Sequence, residues 1–161
     1  MADKIINKTD QQNISKAKKL DYTFAVGRRR EAVARVRLYA DVKPDAKWGD
    51  LPIKKGELFV NEKPIADYFG GDVNRRIYTE PLRVVNAQNR YTITIRVAGG
   101  GPSGQLDAAV LGIARALTKI DLEHRKILKA KGFLTRDARI RERRKVGKGG
   151  KARRTKQSPK R

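Results

Sequence analysis

The 161-residue sequence contains no cysteine and only one histidine. Without cysteine, neither a disulfide framework nor a thiolate metal site exists, and one histidine is too few for a conventional zinc site. The composition fits a reducing compartment. The single histidine, His124, stands beside Glu123 and Arg125 in a basic segment, and we expect a solvated helix position for it.

Long apolar segments are also missing. No run approaches the roughly 20 residues that a membrane-spanning helix requires. Residues 1–20 lack a continuous apolar stretch of signal-peptide length, and they contain two aspartates but no arginine, unlike a transit peptide. We therefore expect a soluble, cytoplasmic protein with no membrane partner.

Negative charge is scarce beside positive charge. Lysine and arginine number 39 against 17 aspartates and glutamates, a formal net charge of +22. Such an excess repels itself in isolation and indicates a polyanionic partner. Half of it lies in residues 136–161, which hold thirteen basic and two acidic residues. Few apolar side chains are available there to offset the ordering entropy of about 1–2 kcal/mol per residue, so this tail is expected to be disordered when free.

Composition divides the chain into an N-terminal extension over residues 1–20, a globular domain over 21–135 and the basic tail over 136–161. The middle part is long enough to bury one sheet-and-helix interface, and it mixes strand-like and helix-like patterns. No internal repeat is visible. We therefore expect one α+β domain with extensions at both ends.

Alternating apolar residues predict two strands near the start of the domain. Residues 22–26 form the first, with the aromatic side chains on the core face, and Gly27 ends it. Residues 34–39 form the second, which has one apolar face and one cationic face carrying Arg35 and Arg37.

The middle of the domain is predicted less evenly. Residues 41–56 contain two prolines and two glycines and are typical of a loop. A short strand over 58–61 follows, and residues 72–80 favour a helical turn. Segments 81–86 and 90–98 are predicted to pair as a hairpin.

Helical spacing is strongest in the second half of the domain. Apolar residues recur at helical intervals over 106–117, and Ser103 is a plausible cap for this helix. A short helix over 65–69 is predicted after a proline, and a basic helix over 122–131 before a glycine. Residues 134–147 are interpreted as a short helix that leads the tail away.

The glycine-rich stretch VAGGGPSGQ, residues 97–105, joins a strand to a helix. Such a loop brings backbone N–H groups close to an anion, but this one lacks the Gly-Lys-Ser/Thr ending of a Walker loop. A tight turn packed on neighbouring backbone and a site for a nucleic-acid phosphate both stay open. No nucleophile–base constellation is visible, so we expect neither an enzyme nor a cofactor.

The arginine-rich stretch GRRREAVARVR, residues 27–37, points to nucleic acid. The guanidinium fork suits bidentate phosphate contact, whereas a merely solvated face is the alternative interpretation. No RNP-type aromatic pattern is present, so an RRM is not expected. The pattern favours RNA or DNA binding through backbone and shape, and a free, nucleoid-type nucleic-acid binder is one alternative that fits it.

Four strings carry a family resemblance: GRRREAVARVRLY, NEKPIADYF, IRVAGGGPSGQLDAAVLGIARAL and LTRDAR-x-RERRKVG. Over residues 22–161 they resemble the bacterial small-subunit ribosomal protein S-nine family. The resemblance implies an α+β fold of the ribosomal S-five domain-two type, with a mixed sheet packed against helices and a left-handed β-α-β crossover. It also implies a structural protein of the small-subunit head. Its partners would be small-subunit rRNA, peptidyl-site tRNA and neighbouring head proteins, with no homo-oligomer.

Carried over residue by residue, the resemblance implies rRNA contacts at Arg28, Arg29, Arg30, Arg35, Arg37, Gly99, Gly100, Gly101, Gly104, Arg136, Arg139, Arg143, Arg144, Lys145, Lys151, Arg153 and Arg154. The tRNA contact falls on Lys160 and Arg161. The family's usual ending, Gln-Phe-Ser-Lys-Arg, is altered here: its aromatic residue is gone, so the tip is expected to hold tRNA by charge. The 41–56 loop, with Trp48, is longer than the family's usual turn.

Overall fold

A computed structural model describes residues 22–42, 47–48 and 51–141. The N-terminal extension over 1–20 and the tail beyond residue 141 lie outside this range. In chain order the elements are β1 Thr23–Arg29, β2 Ala32–Tyr39, β3 Lys47–Trp48, β4 Leu51–Pro52, β5 Leu58–Val60, β6 Lys63–Pro64, α1 Ile65–Tyr68, α2 Asp72–Val84, β7 Thr92–Ala98, α3 Pro102–Ile120 and α4 Glu123–Ala130.

The main sheet has five strands in the order β1-β2-β7-β5-β6. All neighbouring pairs are antiparallel except β5 and β7, which run parallel and are joined through α1 and α2. β3 and β4 form a separate two-stranded ladder inside the segment predicted as a loop. The expected α+β architecture, a mixed sheet packed against helices, is confirmed.

One face of the sheet forms the core with α3. The register places Val36 of β2 opposite Ile95 of β7, and Leu38 opposite Ile93, so their side chains share a face. All four are essentially inaccessible to solvent. Burying each such side chain contributes about 1.5–3 kcal/mol. The alternation predicted for the second strand is confirmed.

The prediction for β1 is wrong in two respects. The strand continues through Gly27 to Arg29, and its core-facing residues are Ala25 and Gly27, whereas Phe24 is 40% exposed. The reason is the closeness of α3, since a Cβ on Gly27 would lie 1.8 Å from the carbonyl oxygen of Ala108. Alternation reveals two faces but does not say which one meets a helix, and side-chain size suggested the wrong one.

Cationic side chains of α3 cover the open edge of β1. Arg115 Nη1 donates a hydrogen bond to the carbonyl oxygen of Val26 at 2.8 Å, and Lys119 Nζ donates one to that of Phe24 at 2.6 Å. Unpaired carbonyl groups on an edge strand invite pairing with another chain. Two of the chain's many cations therefore have an internal structural task.

The predicted hairpin over 81–98 is also wrong. Residues 81–84 are the last turn of α2, whose 13 residues far exceed the helical turn predicted over 72–80. Tyr78 and Leu82 of this helix are buried in the core. Their packing overrides both the strand propensity of the apolar residues after Pro81 and the cost of an internal proline. The chain then returns to β7 through a turn.

The predicted helices over 65–69 and 122–131 and the predicted strands over 58–61 and 90–98 are confirmed, with small shifts of their ends. Two other helix predictions are wrong. The N-cap of α3 is Gly101, with Pro102 at the first helical position, so Ser103 is not the cap. Residues 135–141 are irregular rather than helical, and 142–147 lie outside the described range.

In the described part of the chain, no helix is long and apolar enough to cross a membrane.

Candidate nucleic-acid interface

The side of the sheet opposite α3 carries exposed arginines on three neighbouring strands. In β2, Arg35 and Arg37 alternate with the buried residues, as predicted. The register sets Arg35 directly opposite Arg96 of β7, and β1 contributes to the same side. We call this set the arginine face, and its members are Arg28, Arg35, Arg37 and Arg96.

A groove of about 590 Å³ runs over the arginine face. Three of its arginines and Trp48 line it, together with Glu62. A smaller hollow, also lined by Trp48, Arg35 and Arg96, adds Arg37 and Phe24 to its lining. Solvent-facing guanidinium groups and an aromatic ring thus border the same space.

Trp48 is held over the sheet by a neighbouring aromatic ring. Its ring centroid lies 6.4 Å from that of Phe59, with the planes at 74°. This is the edge-to-face arrangement that aromatic pairs favour. Phe59 is buried beneath it, while Trp48 itself is only half-buried. The β3–β4 ladder therefore presents a supported aromatic surface to the groove.

The arginine face keeps most of its positive charge available to a partner. Within residues 22–42, 47–48 and 51–141, none of its four guanidinium groups forms an ion pair. Arg37 lies 5.0 Å from the centroid of the Tyr22 ring, a cation–π contact that leaves its charge intact. Cations concentrated on one surface attract a polyanion.

Arg29, by contrast, is engaged inside the protein. Its guanidinium lies 2.7 Å from the carboxylate of Asp137 and 3.4 Å from that of Asp107, and it donates a hydrogen bond to the carbonyl oxygen of Arg139. Its side chain is only 12% exposed. An rRNA contact predicted for Arg29 would have to compete with these three interactions.

Asp137 is the centre of that network. Arg139 donates to it through two side-chain nitrogens and through its backbone amide. These hydrogen bonds, reinforced by the nearby charge of Arg29, hold the pKa of Asp137 well below its usual range. The network fastens residues 137–139 to β1 and to the first turns of α3.

Two of the clustered glycines are required by close packing. Gly99 and Gly100 have φ values of +73° and +64°. A Cβ on Gly99 would lie 2.6 Å from the Glu31 carbonyl oxygen, and one on Gly100 would lie 3.0 Å from the Cβ of Ala32. The sequence left a tight turn and a phosphate site open, and here the structure shows a tight turn on the β1–β2 hairpin.

The other end of the glycine stretch has different surroundings. A Cβ on Gly101 would meet nothing within 4 Å, and one on Gly104 would make only ordinary contacts. Gln105 donates from Nε2 to the Gly99 carbonyl oxygen at 3.0 Å and accepts at Oε1 from the Tyr68 hydroxyl at 2.8 Å. The loop is therefore closed by protein groups, with open space at Gly101.

His124 does not occupy the solvated position predicted for it. Its side chain is 15% exposed, and Nε2 lies 3.7 Å from a carboxylate oxygen of Asp121. The face of α4 that carries His124 packs toward the domain. The charged residues next to it in sequence, Glu123 and Arg125, had suggested an exposed position. No group of residues suited to a metal ion occurs in the part of the chain that the structure describes.

Comparison with known proteins settles the family. The family described as ribosomal protein S9/S16 matches residues 27–161. The chain belongs to this family. The small ribosomal subunit protein uS9 of Leifsonia xyli is 47% identical over 124 residues, 76% of this chain and 66% of that protein. The uS9 protein of Arthrobacter sp. is 44% identical over the same shares. The uS9 protein of Thermus thermophilus is 46% identical over 142 residues, 88% of this chain and all of that protein.

The chain thus spans slightly less than two thirds of the first two relatives and the whole of the third. Membership confirms the resemblance drawn from the four strings. Ribosomal proteins of this family are structural components and not enzymes, which agrees with the absence of a catalytic constellation from the sequence.

In this member of the S9/S16 family, the predicted contact residues do not form one site. Arg30, Arg136 and Arg139 are exposed but lie outside the groove. Eight predicted contacts fall outside the described residues: Arg143, Arg144, Lys145, Lys151, Arg153, Arg154, Lys160 and Arg161.

Sequence reasoning missed Arg96 and Trp48 as members of the groove. Alternation within β7 places Arg96 on the side opposite Ile93 and Ile95, but only the order of the strands shows that this side continues that of Arg35. For Trp48 no sequence signal was available, since its short ladder is held by tertiary packing.

Proposed function

We propose that the protein is a structural constituent of the small ribosomal subunit, in its head, and binds small-subunit rRNA in translation. The observation that carries the proposal is the arginine face of a ribosomal family member, where exposed guanidinium groups that form no ion pair within the described residues share one side of a sheet. Membership alone does not say which surface meets RNA.

A rigid sheet suits this task. Alternate residues of a strand are about 6.6–6.8 Å apart and neighbouring strands about 4.8 Å apart, so the arginines form a fixed grid. Guanidinium groups bind phosphate oxygens in a bidentate manner. Because the strands are already ordered, RNA binding costs little backbone entropy there. The grid recognises the shape of an RNA backbone rather than a sequence of bases.

The remaining contacts extend this surface. We propose that Arg30, Arg136 and Arg139 meet rRNA beside the arginine face, to which Arg28 already belongs, and that Gly101 and Gly104 admit RNA backbone close to the start of α3. Arg29, Gly99 and Gly100 contribute by holding the protein surfaces that RNA meets. In the tail, Arg143, Arg144, Lys145, Lys151, Arg153 and Arg154 would bind rRNA, and Lys160 and Arg161 would contact peptidyl-site tRNA.

The same proposal includes the finer organisation. Residues 21–135 would be the globular RNA-binding domain, of the ribosomal S-five domain-two type with a left-handed β-α-β crossover. Residues 136–161 would be the basic tail, and the part of it that follows the anchored residues 137–139 would become ordered on RNA. The protein would be a single copy beside neighbouring head proteins, in cytoplasmic ribosomes. The parallel β5 and β7, joined through helices, support the crossover.

A charge-reversal experiment tests the arginine face. A tagged protein with Arg35→Glu and Arg37→Glu is expressed in cells, and small subunits are purified at moderate salt. We expect the variant to be excluded from subunits, because two attractive contacts become repulsive. The matched control is Arg76→Glu with Arg125→Glu, which reverses the same charge at exposed positions of α2 and α4.

The outcomes separate the alternatives. Equal incorporation of both folded double variants would remove the arginine face from the rRNA interface. If the parent protein itself is absent from purified small subunits, the ribosomal function is wrong and a free, nucleoid-type binder takes its place. Circular dichroism of each variant establishes that it is folded before incorporation is compared.

A further inference from the structure

We propose that the groove beside Trp48 holds one unpaired nucleotide of the bound RNA, with its base stacked on the indole and its phosphates on Arg35 and Arg96. The inference rests on the proposed function and deepens it, because it names the kind of RNA that this surface takes.

The position of Trp48 is the first argument. The indole borders both hollows of the arginine face, with Arg35 and Arg96 lining each of them. Phe59 supports the ring edge-to-face from the sheet, while part of the indole stays open to solvent. A supported aromatic ring flanked by cations has the composition of sites that bind single-stranded nucleic acid.

The second argument concerns what the ring can recognise. Double-stranded RNA presents mainly phosphates and 2′-hydroxyls, and its bases are stacked on one another. Such a partner would satisfy the arginines and leave the indole without a role. A nucleotide in a loop or bulge offers a free π-face, and the arginines then neutralise its flanking phosphates. Of the two RNA forms, the unpaired one uses both the indole and the arginines of the groove.

The neighbouring polar groups agree with shape-based rather than base-specific binding. Asn61 lines the groove, but its amide nitrogen donates to the Val97 carbonyl oxygen at 3.0 Å and its amide oxygen accepts from the Val97 N–H at 2.9 Å. Its hydrogen-bonding groups are engaged within the sheet. Stacking tolerates any base, so we expect little preference among nucleotides.

The chain provides its own reporter, because Trp48 is the only tryptophan in the sequence. The full-length protein is titrated with single-stranded RNA of about ten nucleotides, a length within the usual range of such sites. Two further probes are the same strand with abasic positions and a duplex of equal length. Binding is followed by the anisotropy of labelled RNA, and stacking by the intrinsic fluorescence.

We expect single-stranded RNA to quench the fluorescence of Trp48. The abasic strand and the duplex should bind, since their phosphates remain, but leave the emission nearly unchanged. Trp48→Ala should weaken single-stranded binding about 5-fold to 100-fold, with little effect on the abasic strand. Trp48→Phe should restore much of that loss, since a phenyl ring also stacks.

Arg96→Gln separates the charge contribution from stacking. It should weaken binding of intact and abasic strands alike, and reduce the slope of log affinity against log salt by about 0.7. Arg76→Gln, at an exposed position of α2, removes the same charge outside the groove and is the matched control. We expect single-stranded RNA to quench Trp48 in the control as strongly as in the parent.

Two failures are distinguishable. If no RNA probe binds, the proposed function falls together with this inference. If RNA binds with unchanged emission and Trp48→Phe and Trp48→Ala bind it as tightly as the parent, the rRNA function stands and the nucleotide groove is refuted. Equal quenching by abasic strands would show that the indole senses only charge, which also overturns the proposal.

Discussion

The contact between β1 and α3 at Gly27 provides a sharp stability test. A Cβ at this position would lie 1.8 Å from the Ala108 carbonyl oxygen and 2.6 Å from the Gly112 amide nitrogen. Both obstacles are backbone atoms, so no side chain can rotate away. With Gly27→Ala, strand and helix must separate until the closest contact reaches at least 3.0 Å.

The expected cost follows from two opposing effects. Overpacking of this kind costs typically about 1–3 kcal/mol, and a clash between backbone atoms belongs at the upper end. Replacing glycine also reduces unfolded-state entropy, which stabilises by about 0.4–1 kcal/mol because the backbone here permits alanine. The net destabilisation of Gly27→Ala is therefore about 2–2.6 kcal/mol, a fall in Tm on the order of 10 °C.

Thermal and urea unfolding of the full-length protein measure this difference. Gly70→Ala is the matched control, because a Cβ there would lie 3.9 Å from its nearest neighbour, an ordinary contact. We expect Gly70→Ala to be neutral or slightly stabilising. If Gly27→Ala unfolds within about 1 kcal/mol of the parent, the close approach of β1 and α3 is not as described, and the explanation for the β1 face fails with it.

Three further predictions concern other parts of the chain. Thr92→Val should destabilise the domain by about 1–3 kcal/mol in urea unfolding, because the buried hydroxyl donates to one loop carbonyl and accepts from one loop N–H, which would both lose their partner. A Thr92→Ser variant that is equally unstable would contradict this reason. Because the pKa of Asp137 is lowered, its contribution to the stability of the folded state is complete above the ordinary carboxyl pKa near 4. That contribution is lost as the pH falls toward the lowered pKa. Asp137→Asn should therefore speed hydrogen exchange of the Arg139 amide at neutral pH, and unchanged exchange would remove Asp137 as the anchor. Deleting Lys160 and Arg161 should leave small subunits intact but weaken peptidyl-site tRNA binding, and subunits that hold tRNA and reading frame as well as the parent would disprove the tail-tip role.

The strands show how far periodicity reaches. In β2, Ala34, Val36 and Leu38 alternate with Arg35 and Arg37, and each of these side chains lies on the side that the pattern predicts. In β1 both faces carry uncharged side chains near the start of the strand, so alternation does not show which face is buried. The buried face is the one that lets the backbone of α3 approach Gly27 closely. The apolar residues after Pro81 have strand propensity, yet they finish α2 because Leu82 fills the core.

In the candidate interface, too, some residues were predictable from the sequence and others only from the structure. Arg35 and Arg37 were identifiable because a charged face opposite a buried one leaves only solvent or a partner for their side chains. Arg96 joins them through strand order, since residues more than fifty positions apart become neighbours only when β2 pairs with β7. Arg29 belongs to the same arginine run as Arg28, but its carboxylate partners come from α3 and from residue 137.

The sequence by itself predicted a polyanionic partner, and it determined the α+β class, the family and the cationic face of β2. Charge, local alternation and continuous strings of residues are properties of the chain that require no knowledge of distant contacts. Only the tertiary structure decided which glycines are needed for packing, which arginines form internal ion pairs, and that Trp48 lies against the arginine face. Each of these depends on groups far apart in sequence that meet when sheet and helix pack, and packing energy there outweighs local preference.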